Sequence, residues 1–139
     1  MSKVKEPDRV SIRKSDRKEY DRLKEKDSPL AGRENKDLFI MAMIVGYHDG
    51  SRLELDKKDG FVRIEYFNEK EKSLIMAIAV EEEDNLEIIN NKEKVYSIAE
   101  EYATSGIKIL KEKVLGSEFA NYFKRLEAEL NDELEKTVV

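Results

Sequence analysis

The sequence predicts a predominantly helical α+β domain, with about four body helices and one small β-hairpin. Three observations carry that expectation. Residues 38–45 and 74–80 are apolar on every side, as buried helices are. Val95, Ile98, Ala99, Tyr102, Ala103, Gly106, Ile107, Leu110 and Val114 recur at spacings of three and four. Between them, Leu53 and Leu55, then Val62, Ile64 and Tyr66, alternate with charged residues as half-buried strands do.

The elements follow in order. The first 26 residues carry ten Lys/Arg and six Asp/Glu, whereas the whole chain has a net charge of −5. Apolar residues are sparse there, so residues 1–34 read as a basic flexible arm, with a weak helix over 15–26 capped by Ser15. Ser28, Pro29 and Gly32 mark its end, and residues 35–139 read as the compact domain. Asn35 is the expected cap of the first buried helix, 36–46, and Gly46 its end. Residues 46–50 then read as a loop. Asp56-Lys57-Lys58-Asp59-Gly60 supplies the hairpin turn. Asn68 with Glu71 forms a capping box for the helix over 70–80, and Asn90 with Glu93 repeats the pattern before the helix over 91–115. Gly106, on the buried face of that helix, points to a second backbone crossing closely, because Gly in a helix interior costs about 1 kcal/mol against Ala. Gly116 stops the helix. Ser117 caps a last one with an apolar stripe of Phe119, Tyr122, Phe123, Leu126, Leu130 and Leu134.

Composition excludes several functions. The chain of 139 residues has no Cys and one His, which removes disulfides, thiolate sites and multi-His metal sites. The longest apolar run, 38–45, is far too short for a membrane span. The charged N-terminus is unlike a signal peptide, so the expected location is the cytoplasm. The six glycines are scattered, so no phosphate-binding loop or dinucleotide fingerprint is present.

One stretch carries a family resemblance. Its residues are the apolar helix followed by Gly46-Tyr47-His48-Asp49-Gly50-Ser51-Arg52, the short hydrophobic segment ending at Phe67, Ile78-Ala79, and Ala99-Glu100-Glu101-Tyr102-Ala103-Thr104-Ser105-Gly106-Ile107 with Leu110. From Asp37 to Leu110 the chain resembles the small accessory proteins of bacterial and archaeal DNA phosphorothioation (dnd) gene clusters. The resemblance leaves out the basic arm and the last helix. It implies a role beside DNA sulphur modification or its associated restriction, in defence against phage. It implies no catalytic residue.

The candidate sites are few. His48 beside Asp49 has the chemistry of an acid/base pair, but no nucleophile pattern surrounds it. The run Glu81-Glu82-Glu83-Asp84, with Glu54, Glu65 and Lys57, offers oxygen ligands without the spacing of a calcium loop or a nuclease. The helix over 91–115 places Glu100 outward and Glu101 on the flank, so both read as surface carboxylates. No catalytic residue, metal site or cofactor is therefore assigned, and the protein reads as non-enzymatic. Nucleic-acid contact falls to the arm, through Arg9, Arg13, Lys14, Arg17, Lys18 and Arg22. That makes a DNA-binding regulator the first alternative to an accessory acting on protein partners, and a metal-dependent nuclease using Glu54, Glu65 and the acidic run the second. Leu126, Leu130 and Leu134 read as a stripe projecting past the domain, suited to a partner helix in a homodimer. The competing reading is that the helix folds back onto the body.

Overall fold

The computed structural model describes residues 7–116 and 119–138, apart from the side chains of 119–125, 137 and 138. Strand β1 (Arg9–Arg13) leads into the short helix α1 (Arg17–Leu23). Helix α2 (Asn35–Asp49), strand β2 (Lys58–Arg63), and helices α3 (Glu69–Glu83), α4 (Lys92–Val114) and α5 (Phe119–Val138) follow. The class is α+β and predominantly helical, as the apolar periodicity requires.

Helices α2 and α4 form the central pair. Both are held together by glycine. A Cβ on Gly46 would overlap the carbonyl oxygen of Tyr102, and one on Gly106 would overlap that of Ala42. The backbones therefore touch, as Gly106 led us to expect. Leu38, Phe39 and Met43 of α2 and Ile98, Ala103 and Ile107 of α4 are buried in the core that the pair shares. Helix α3 packs its Leu74, Ile75, Ile78 and Ala79 face into the same core. Its capping box is complete: Asn68 Oδ1 accepts from the Glu71 backbone N–H, and Glu71 Oε1 accepts from that of Asn68, both at 2.8 Å.

Several expectations need correction. Helix α2 begins after Glu34, with no side-chain cap, rather than at an Asn35 cap, and α4 is capped by Asn91, which accepts the Lys94 backbone N–H, rather than by Asn90 with Glu93. Residues 52–66 do not form a hairpin. The sheet pairs β2 with β1 in antiparallel register, Val10 opposite Val62 and Arg13 opposite Lys58, with an irregularity after Val10. Leu53 is exposed, and its segment is held to α4 by a backbone bond from Leu53 N–H to the Glu101 carbonyl, 3.2 Å. The segment assigned to a basic arm over residues 1–34 packs on the body where it is described. Val10, Ile12, Tyr20, Leu23 and Leu30 are fully buried in the common core. These few apolar residues all point one way, against α4 and β2, and that convergence offsets the ordering entropy that a bare count of them would not. Finally, α2 does not end at Gly46. It runs to Asp49 and closes on Gly50, whose φ of 79° is the left-handed conformation of a helix C-terminus. Gly46 serves packing instead, and His48 lies on the helix.

Candidate functional site

Two polar constellations stand out. The first ties segment 51–57 to α3 and α4. Arg52 donates through Nε to Glu101 Oε1 at 2.9 Å and through a terminal nitrogen to Glu82 Oε1 at 2.6 Å. Its guanidinium lies 5.9 Å from the centre of the Tyr102 ring. The Tyr102 hydroxyl donates to the other Glu82 oxygen, 2.6 Å. Tyr47 meets Tyr102 edge-on at 5.5 Å. Ser105, which caps the tight helix crossing, donates to the Ser51 carbonyl.

The electrostatics follow from these contacts. The Tyr102 hydroxyl, helped by Arg52 and opposed by burial, holds the Glu82 carboxyl below its usual range. Burial, reinforced by Glu82, pushes the Tyr102 phenol up to about 12. Arg52, Glu82, Glu101 and Tyr102 bond to one another, and the arrangement is a clamp.

The second constellation surrounds Glu100, which is only 5% exposed. The sequence placed it outward. The β1–β2 ribbon covers that face of α4, so the carboxylate is enclosed. One oxygen accepts the Ser11 backbone N–H at 2.6 Å and the other accepts from Lys58 Nζ at 3.2 Å. Burial pushes its pKa up, while Ser11 and Lys58 pull it back. Glu100 thus fills a backbone bond that the ladder irregularity at Ser11 leaves open.

The predicted nucleic-acid residues divide into two sets. Arg13 is bound by Asp16 at 3.1 Å, Arg17 by Asp59 at 2.6 Å, and Arg22 by Asp27 at 3.0 Å. Arg17 also lies over the Phe61 ring, 5.4 Å from its centre. Arg9, Lys14 and Lys18 are exposed. Arg9 stands directly across the ladder from Arg63, a residue that sequence reasoning did not connect with it. The signal was present: Arg9-Val10-Ser11-Ile12-Arg13 alternates with period two, as a strand does.

The other predicted residues are placed as follows. Leu126 is 5% exposed, and Leu130 and Leu134 are half-buried against the core. The described part of the stripe, Leu126, Leu130 and Leu134, packs on the body of the same chain, which α5 meets at α2, α3 and α4. The side chains of Phe119, Tyr122 and Phe123 lie outside the described residues. His48 is exposed, with Nε2 3.6 Å from Glu129 Oε1. Glu54 and Glu65 are exposed. Among the described residues no three His, Asp or Glu side chains converge in a metal-binding group. No described helix is long and apolar enough to cross a membrane.

A family model for DNA sulphur modification system-associated protein 4 matches residues 9–138. The chain belongs to this family. The match takes in β1, α1 and α5 as well as the central helices, so the segments that the short motifs left out are part of the family's unit. No curated protein and no solved structure matches the chain. Membership of the DNA sulphur modification system-associated family connects the protein to that system.

Proposed function

We propose that the protein is a cytoplasmic, non-enzymatic accessory of a DNA sulphur modification system, acting through contact with the system's modification or restriction proteins. One observation carries the reading beyond the family match. The carboxylates best placed for chemistry are spent as fasteners: Glu82 and Glu101 hold Arg52, and Glu100 holds Ser11 and Lys58.

The surface offers a place for such contact. Met76, Ala77 and Val80 of α3 and Ile89 of the following turn floor a groove of about 480 Å³, beside Glu133 and Lys136 of α5. Leu86 stands at its edge, 68% exposed. The flanking Glu81, Asp84 and Glu87 are exposed and acidic. The occupant that fits is a partner segment with an apolar anchor and neighbouring Lys or Arg side chains.

The test uses purified proteins of the cognate gene cluster. Tagged full-length protein should retain one of them on size exclusion, and Leu86→Glu should abolish retention without changing the melting temperature. Retention of none, or retention unaffected by Leu86→Glu, counts against the reading. So does Mg²⁺-dependent cleavage of plasmid DNA by the purified chain alone.

A further inference from the structure

The end of the β1–β2 ribbon carries an arrangement that folding alone does not favour. Arg9 and Arg63 are direct partners across an antiparallel ladder. Like charges at that position repel and destabilise a sheet. Arg63 has one loose contact, 3.6 Å to the exposed Glu65. Neither Arg9 nor the Lys72 ammonium has a carboxylate within ion-pairing distance among the described residues, although Arg13, Arg17 and Arg22 nearby all do. Arg9, Arg63 and Lys72 line one depression of about 390 Å³, with Pro7, Asp8 and Glu65. Gly60 accommodates the arrangement. Arg9 Cδ and a terminal nitrogen would stand 3.1 and 3.6 Å from a Cβ there, so the side chain, guanidinium included, lies across the ribbon surface.

We propose that Arg9, Arg63 and Lys72 form a binding site for the phosphate backbone of duplex DNA. An anion between the two guanidiniums turns their repulsion into shared attraction, and guanidinium suits phosphate through paired N–H donors. A polymer fits better than a small free anion. The depression is shallow and open, and exposed cations continue along the ribbon at Lys57 and Lys14, beyond the Lys58 that Glu100 holds. Four strand steps span roughly 13 Å. A duplex presents one phosphate charge per about 1.7 Å of axis, so a ribbon of that length meets several. The remaining surface is acidic enough to keep the contact local and dependent on salt. This inference stands apart from the protein-contact reading, since the groove at Leu86 and the ribbon involve different residues.

The experiment is fluorescence anisotropy of a labelled duplex with the full-length protein across a salt series. Wild type should bind in the range of roughly 1–100 µM at physiological salt, as sequence-independent backbone binding does. The triple variant Arg9→Gln, Arg63→Gln, Lys72→Gln should bind at least tenfold more weakly. Its slope of log affinity against log salt should be shallower by about 2.7, because the variant neutralises three fewer phosphates. Lys113→Gln, on the exposed side of α4, should behave as wild type. Arg9→Gln alone should melt no lower than wild type, which keeps the test readable if the triple variant folds poorly. Failure of the duplex to bind, or equal binding by the triple variant, overturns the proposal. Calorimetric binding of inorganic phosphate without duplex binding would show a small-anion pocket and overturn it as well.

Discussion

Gly46 and Gly106 face each other where α2 crosses α4, and neither position has room for a methyl group. This contact sets the distance between the two central helices and so the shape of the core. It also brings Ser105 against the segment that follows α2, where Arg52 closes the clamp.

Gly106→Ala should therefore be destabilising, against the ordinary helix preference. Propensity alone would favour Ala by about 1 kcal/mol. The added carbon meets the backbone of Ala42 and Gly46, which cannot move as a side chain can. Overpacking of this kind costs about 1–3 kcal/mol, and a rigid backbone neighbour belongs at the upper end. Urea denaturation should show a lower midpoint with an unchanged slope. A variant as stable as wild type would mean that the helices are not in contact here.

Glu82 and Glu100 should drive the acid dependence of stability in opposite directions. The folded state depresses Glu82, through the Tyr102 hydroxyl and then Arg52. Its contribution is present above the usual carboxylate value of about 4.5 and is lost as pH falls through the folded value. Burial raises Glu100, so its contribution is largest at low pH and is lost as pH rises from about 4.5 through the folded value. Take the stability at pH 7 minus that at pH 4. Glu100→Gln should make that difference more positive than in wild type, and Glu82→Gln less positive. Shifts of the same sign in the two variants would contradict the assigned environments.

Tyr20 should tolerate loss of its hydroxyl. The ring is buried against Phe61, 4.5 Å between centres, and the oxygen has no hydrogen-bond partner among the described residues. Burial, with Asp16 nearby, pushes its pKa well above the ordinary phenol value. A buried hydroxyl without a partner carries a desolvation cost, so Tyr20→Phe should be neutral or stabilising by about 1 kcal/mol. A loss of stability in thermal melting would reveal a partner for the oxygen.

The helical part of this fold was legible because its signals are local. The apolar runs around Phe39 and Ile78, the stripe from Val95 to Val114, and the Asn68–Glu71 box each lie within one element. The sheet was not legible, since β1 and β2 are joined across some 45 residues and neither strand contains a turn signal for the other. Leu53 and Leu55 alternate as a strand would, yet the Leu53 backbone N–H bonds to α4. Glu100 was misplaced for the same reason: whether a helix face is outward depends on what covers it, and the ribbon covers this one. Of the candidate residues, Arg9 was found from the charge of its segment. Its partners Arg63 and Lys72 needed the ladder register and the start of α3 to bring them together.

The stripe on α5 gives the last prediction. Leu126 is almost fully enclosed, and Leu130 and Leu134 are covered in part, by a body that includes Ile40 and Met41. A leucine in that position is a core residue. Leu126→Ala should cost about 2–5 kcal/mol, the range for a buried leucine, and Leu134→Ala clearly less because water already reaches part of it. Leu130→Glu with Leu134→Glu should lower the melting temperature by detaching the end of α5, and should leave the sedimentation coefficient that of a single chain. If the stripe instead joined two copies, wild type would sediment as a dimer at tens of micromolar (a concentration of the order at which weak dimers form). The double variant would then separate the copies while melting as a folded body. The two outcomes differ in both measurements, so sedimentation and melting on the same samples decide whether α5 belongs to this core or to an interface.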